Sequence, residues 1–421
     1  MTEFLRLVQP DEARERLLSH ILAPLQDAEI VPTSEALSRV TAQPVTAPHA
    51  LPEFPRSTVD GYAVRARDSF GASPAQPAYL ELVGEIPMGL AAEVELGRGQ
   101  CALIHTGGML PGGAAAVVML EHVQLATGDI GTAPSGEIEV LRAAAPGENV
   151  ISVGEDVQQG QEAIPSGTVL RPPEIGGLMA LGVTTIAVVR QPVVALISTG
   201  DEIVEPRVKP SRGQVRDVNG AALAALVTQS GGRPDFRGIV PDRPGQVEVA
   251  ARDALRTADA VVITAGSSAS TRDLTASAIA ALGAPGVLVH GINIRPGKPT
   301  ILGVCDGKAV VGLPGNPVSA LVIARLFLVP VIHRLLGRAS EGPRPTVQAR
   351  LTVNVASQAG REDWWGVRLH RGQEAGVLWD AEPIFGRSNL IFNLAGAYGL
   401  LRVPADQNGL SAGEFVEIEP L

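Results

Sequence analysis

Two cysteines, Cys101 and Cys305, are all that the 421 residues contain. That is too few for a disulfide framework or a thiolate zinc site, and a reducing compartment follows as the default. Aromatic residues amount to 3%, which leaves the cores to Val, Ile, Leu and Ala and removes the stacking platforms that single-stranded nucleic acid needs. Basic residues are outnumbered as well: 34 Lys plus Arg face 44 Asp plus Glu, a formal charge of −10, which opposes a footprint on phosphate backbones. No uninterrupted apolar run reaches the about 18 residues of a membrane span, and Met1 to Pro10 carries an early acid and no long apolar core. Neither a Walker P-loop nor a G-x-G-x-x-G fingerprint is present, there is no Ser-His-Asp set, and His105 stands without a second His at metal-ligand spacing. The expectation is a soluble cytosolic protein that binds neither nucleic acid nor membrane.

What the chain does have is material for several cores: 45% hydrophobic residues, 19% charged, and a length that suits about two to four domains. Apolar spacing from Pro10 to Leu25 is helical, and Ser34 to Val45 reads as helix followed by extended chain. Residues 49–145 change to short apolar runs broken by Gly and Pro (79–83, 100–104, 116–120, 137–141), a β-rich unit. Residues 146–190 are turn-rich and end in a short helix (173–181) and a strand (185–189), which can rejoin residues 1–48 as a discontinuous domain. Across 191–338, strands and helices alternate, which predicts a parallel sheet with helices on both faces. A hairpin turning at Asp306-Gly307 follows, then an almost wholly apolar helix from Val318 to Leu336 that belongs against the sheet. Gly342, Pro343 and Pro345 mark a linker, and 345–421 reads as a small C-terminal β domain in which Trp364-Trp365 is a packed core pair.

In an open α/β sheet, ligands sit beyond the carboxyl ends of the strands, where helix N-termini and free amides converge. Four such segments carry polar punctuation: Ser198 to Glu202, Gly266 to Asp273, Arg295 to Pro299, and Pro314-Gly315-Asn316-Pro317-Val318-Ser319. Small residues let backbone N–H groups approach an oxyanion, and Arg295 and Lys298 add positive charge, so together the loops point to a phosphate or oxoanion site. Glu202, Asp217, Asp242 and Asp273 follow strands or precede helices. Carboxylates grouped around an anionic ligand need a cation between them, most simply Mg²⁺; helix capping is the competing role for Asp217 and Asp273.

At these residues the chain resembles the MoeA family of molybdopterin molybdenumtransferases, related to the gephyrin E domain. The resemblance rests on Val59-Asp60-Gly61-Tyr62-Ala63-Val64, Gly147-Glu148-Asn149-Val150 with Gly154-Glu155-Asp156, Ser198 to Glu202, Pro296-Gly297-Lys298-Pro299, and Gly312 to Ser319, in the family's order. It implies an elongated homodimer of four-domain chains: a MogA-like three-layer α/β domain, a β-rich second domain, a discontinuous mixed domain and a C-terminal β domain. The cleft would be shared between the α/β domain of one subunit and the second domain of the other.

The activity that the resemblance implies is insertion of molybdate into adenylylated molybdopterin with release of AMP, using Mg²⁺, in molybdenum cofactor biosynthesis. It leaves open contact with other proteins of that biosynthesis. Carried over residue by residue, Arg295, Lys298, Pro299 and Ser319 become the molybdate pocket. Glu202, Asp242 and Asp273 become the catalytic acids around the metal. Asp60, Thr106, Asp156, Asp217, Ser268, Pro314, Gly315 and Asn316 contact the nucleotide or pterin. Three departures stand out: Ala265 to Ser270 replaces a Ser-Gly-Gly-Val-Ser-Val-Gly loop, Arg295 stands where Lys is frequent, and Phe392-Asn393 replaces a Ser-Ser pair. The alternatives are tungstate insertion or molybdopterin adenylylation on the same fold, and a non-catalytic gephyrin-like scaffold.

Overall fold

Buried apolar residues at every second position divide the strands of residues 191–338 between two faces, as a pleated strand covered on both sides requires. The elements run β1 (Val193–Thr199), α1 (Asn219–Gln229), β2 (Arg233–Val240), α2 (Gln246–Thr257), β3 (Ala260–Ala265), α3 (Ala269–Ala280), β4 (Pro285–His290), β5 (Ile301–Cys305), β6 (Lys308–Pro314) and α4 (Pro317–Leu335). The computed structural model describes residues 7–22, 24–125, 136–265, 269–339, 345–372, 374 and 376–421, and of residues 269–273 it describes no side chain. Val194, Leu196, Val262 and Val311 pack with Leu223 and Val227 of α1 and with α4. Val193, Ala195, Ile197, Val261 and Val310 pack with Val247, Ala251 and Ala254 of α2 and Ile279 of α3. Each fully buried Val, Leu or Ile stabilises by about 1.5–3 kcal/mol, an upper figure because the unfolded chain is already partly collapsed.

Strand order in this sheet is β2-β1-β3-β6-β5-β4. Neighbours from β2 to β6 are parallel, whereas β5 runs antiparallel to both β6 and β4, so the sheet is mixed rather than wholly parallel. The tight turn at Asp306-Gly307 is the reason: the hairpin sends β5 and β6 in opposite directions, with both turn residues at positive φ. α4 has the length and hydropathy of a membrane span, but 67% of it is buried inside the protein. Its middle turn, 324–328, is a wider π-type turn just ahead of Pro330, which lacks an N–H and would crowd the carbonyl four residues back.

The N-terminal 48 residues are less helical than their spacing predicts. Among the described residues only Pro10–Ser19 is an α-helix, and Ala13, Leu17 and Ile21 are buried in the core shared by α1 and α4. The predicted helix beginning at Ser34 is a single 3₁₀ turn, Thr33–Glu35. Tertiary pairing wins there, because Ser38, Thr41 and Ala42 donate to the carbonyls of Leu170, Thr168 and Ala187. Ala28–Pro32 pairs antiparallel with Thr185–Val189, and Val45–Thr46 with Glu162–Ile164, which binds the two sequence-distant segments together.

Residues 56–140 supply a six-stranded mixed sheet in the order 116–119, 61–64, 100–104, 78–86, 136–140, 123–125. The C-terminal region closes on itself: Glu362–Arg371 pairs with both Trp379–Pro383 and Gly399–Val403, and the latter continues through Phe415–Pro420 and Val347–Leu351 back to Trp379–Pro383. A two-residue strand from the α/β domain, Ile294–Arg295, adds in parallel to this barrel, with Ile294 opposite Glu362 and Arg295 opposite Asp363.

Candidate active site

Strand register sets which loops can meet. Ser198 lies beside Thr264, Thr264 beside Leu313, Ala265 beside Pro314, and Gly312 beside Ile301. The segments after β1, β2, β3 and β6, and the one before the reversed β5, therefore all open at one edge of the sheet. At about 4.8 Å per strand step, the loop after β1 and the loop before β5 are separated by roughly 14 Å along that edge. Glu202 and Lys298 belong to those two loops, so they stand on one rim, too far apart to touch one small ion.

The cation end is a cavity of about 480 Å³ where the α/β domain meets the barrel. Arg295, Lys298, Pro299, Pro314, Asn316 and Ser319 all line it. Gly297 shapes this loop: its φ is +112, and a Cβ there would lie 2.3 Å from the Ile323 side chain of α4, so only glycine lets the loop settle on the helix. Asn316 is the N-cap of α4 and Pro317 its first residue, which aims the positive end of a 19-residue helix at the cavity. Ser319 is 4% exposed, yet its hydroxyl has no hydrogen-bond partner among the described residues, and it faces the cavity. The Lys298 ammonium likewise has no carboxylate partner among the described residues.

Of the far wall, the sequence pointed only to Asn393, through the Phe392-Asn393 departure. The barrel contributes Arg361, Trp365, Arg387 and Asn393. The predicted core pair of tryptophans is split, because successive strand residues face opposite ways. Trp364 is 6% exposed and donates its indole N–H to Glu362 at 2.6 Å. Trp365 instead carries the Arg295 guanidinium 4.9 Å above its ring and meets Phe385 edge-on. The charged run Arg361-Glu362-Asp363 ahead of two tryptophans was the available signal.

The acid end lies at the loops after β1 and β2. Gly200, with φ +145, lets the chain turn so that Glu202 folds back; a Cβ on Gly200 would stand 2.9 Å from a Glu202 carboxylate oxygen. Asp201 accepts the backbone N–H of Asp242 at 3.3 Å. Asp242 is held above the ordinary aspartate range, chiefly by burial, with the charges of Glu202 and Asp201 adding and a hydrogen bond from Thr199 opposing. Hard carboxylate oxygens that repel one another suit a divalent cation such as Mg²⁺. Among the described residues no three His, Cys, Asp or Glu side chains already converge as a metal cage, so other ligands to such an ion would come from substrate phosphate and water.

The remaining expected residues are distributed differently. Asp217 is 6% exposed, and both of its oxygens are used inside the protein, one accepting from the Ser198 hydroxyl at 2.6 Å and the other from the Gly220 N–H at 2.9 Å. It caps α1 and braces the end of β1. Gly315 accepts from Asn219 at 2.8 Å, tying the turn before α4 to α1. Asp60 accepts from both the backbone N–H (2.7 Å) and the hydroxyl (3.1 Å) of Thr106, and those two bonds hold its carboxyl below the ordinary range. Asp60, Thr106 and Asp156 are absent from the cavity lining of this chain. Ser268 lies outside the described residues. Asp273 was expected ahead of a helix, but α3 already begins at Ala269, which places it in the second turn; its side chain lies outside the described set.

Three regions match family descriptions in turn: "MoeA N-terminal region (domain I and II)" over residues 8–182, "Probable molybdopterin binding domain" over 195–334, and "MoeA C-terminal region (domain IV)" over 348–421. A molybdopterin molybdenumtransferase of Nostoc sp. is 34% identical over 395 residues, covering 93% of this chain and 88% of its own. The chain belongs to the MoeA family. Another molybdopterin molybdenumtransferase, of Haemophilus influenzae, is 31% identical over 414 residues, covering 97% and 98% of the two chains. The crystal structure of the molybdopterin biosynthesis moeA protein from Pyrococcus horikoshii OT3 superposes with a TM-score of 0.83 at 31% identity, covering 99% of this chain and 100% of the other. Against that family background all three departures touch the cavity: Arg295, Asn393 and Ala265 line it, while Phe392, adjacent to Asn393, is 85% exposed. The third, 265–270, lies mostly outside the described residues.

Proposed function

We propose that this chain is a molybdopterin molybdenumtransferase that inserts molybdate into adenylylated molybdopterin and releases AMP, with Mg²⁺ at the acid end. The observation that carries this reading is Ser319. The Ser319 side chain is largely buried, its hydroxyl has no hydrogen-bond partner among the described residues, and it sits at the N-terminus of a long helix in a cavity shared with Lys298 and Arg295, which suits a small tetrahedral dianion. Its oxygen opens into the cavity, where a bound oxyanion would accept its hydrogen bond.

The separation of the two ends has a chemical use. An oxyanion at Lys298 and a phosphoanhydride at Glu202 and Asp242 can belong to one extended substrate, with pterin at the cation end and nucleotide at the acid end. Lys298 and Arg295 would hold the incoming dianion by charge-assisted bonds, and Asn316 with Ser319 would orient it. Glu202 and Asp242 would hold Mg²⁺, Asp273 being a third candidate; when bound, the ion draws negative charge from the phosphate bridge. Asp60, Thr106 and Asp156, which lie outside the cavity of a single chain, would serve the cleft of a second copy in a homodimer. The setting would be the cytoplasm.

The test is to incubate the purified protein with adenylylated molybdopterin, Mg²⁺ and molybdate and to measure AMP and active cofactor. Both should form, and Glu202→Gln should abolish AMP release. AMP formation that is indifferent to molybdate and to Glu202→Gln would overturn the reading. Supplying tungstate in competition, or ATP with unadenylylated molybdopterin, separates the two related enzymatic alternatives.

A further inference from the structure

We propose that Asp363, a residue with no place in the chemistry itself, is the positioning residue that fixes both arginines of the oxyanion cavity. Its side chain is 0% exposed. It accepts from Arg361 in a two-pronged pair, Nε at 2.7 Å and the terminal nitrogen at 3.0 Å. Arg295 approaches the same carboxylate at 3.8 Å, because the parallel pairing sets Arg295 opposite Asp363. Arg295, its side chain still half exposed, lies between the carboxylate and the face of Trp365. A planar guanidinium can occupy that slot and still direct N–H groups into the cavity, which a lysine ammonium cannot do in the same way. Arg361 spends two of its five N–H groups on Asp363 and keeps three.

A buried carboxylate beside an anion site is unfavourable on charge alone, since it repels the ligand that the arginines attract. Its presence makes sense if orientation matters more than net charge, and the sign of one effect decides between them. This inference rests on the oxyanion reading of the cavity. Molybdate affinity should be measured by calorimetry in the presence of AMP for the full-length protein, Asp363→Asn and Arg361→Lys, each with its melting temperature and AMP affinity. If Asp363 positions the arginines, Asp363→Asn weakens molybdate binding about tenfold although the cavity becomes more positive, and AMP affinity stays within about twofold. Arg361→Lys, which keeps the charge and loses the fork, also weakens molybdate binding. Tighter or unchanged molybdate binding in Asp363→Asn overturns the proposal; if that variant does not fold, unchanged binding in Arg361→Lys does so. A wild-type protein that binds AMP but no molybdate would instead sink the oxyanion reading, a separate failure.

Discussion

Ile301 faces Gly312 across the antiparallel pair β5 and β6, and this register brings Lys298 and Ser319 to the same side of the sheet. Lys298 sits three residues before Ile301 on a strand that runs backwards, and Ser319 follows the end of the forward strand. Without the reversal of β5 the two residues would lie at opposite ends of the domain. The hairpin at Asp306-Gly307 is thus what lets a loop preceding a strand join loops that follow strands.

Lys298→Ala should raise the KM for molybdate by about 10- to 100-fold, the loss of one charge-assisted hydrogen bond of roughly 1.5–3 kcal/mol. Nucleotide binding should change little, because the acid end is three strand positions away. Steady-state kinetics with varied molybdate, alongside AMP titration, checks both halves; equal losses would contradict the separation of the ends.

Asp242→Asn should lower activity while making the protein more stable at neutral pH. The carboxyl of Asp242 is raised by burial and by its acidic neighbours, so the folded state binds its proton more tightly than the unfolded state does. Stability therefore falls as pH rises from the unfolded aspartate value through the folded one, and the ionised group costs stability above that. Denaturant midpoints at pH 7 should be higher for the variant than for wild type, and the gap should close as pH drops towards 4.

Much of this was legible in the chain itself. The bounds of 100–104 and 185–189 are those expected from apolar spacing, because a buried strand writes its burial into a short local run of apolar residues. The helix expected from Ser34 does not form because the backbone partners of this segment, Thr168, Leu170 and Ala187, lie more than a hundred residues away. The barrel's share of the cavity was hidden for the same reason: Arg361 and Trp365 reach Arg295 only through the pairing of two strands far apart in sequence. Asp217 could have been either a cap or a ligand by sequence, and its bonds to Ser198 and Gly220 account for both of its oxygens.

Asp259→Asn should destabilise the protein by roughly 1.5–3 kcal/mol at pH 7, the range for losing a hydrogen bond to a charged group. Arg190 grips Asp259 at 2.7 and 2.9 Å, and the Val193 N–H adds a bond at 2.7 Å. Burial works to raise the Asp259 carboxyl, but those bonds and the nearby Lys308 outweigh it and hold it below the ordinary range. The stabilisation is present above the unfolded value of about 4 and disappears as pH falls through the folded one. Urea melts of the two proteins should converge in acid.

Both cysteines should be inert in the folded protein. Cys101 and Cys305 are 0% and 2% exposed, and burial, aided by Glu81 and Asp306 respectively, pushes their thiols up to about 12 and about 11. Little thiolate exists at pH 8 under those conditions. A thiol reagent should label neither residue in buffer and both in concentrated urea.

The most direct test of the account is a crystal grown with molybdate and AMP together. Molybdate should lie within hydrogen-bond reach of Lys298 and Ser319 and the AMP phosphate near Glu202 and Asp242, the two roughly 14 Å apart along one sheet edge. Molybdate bound outside the cavity, or the two ligands on opposite faces of the protein, would contradict it.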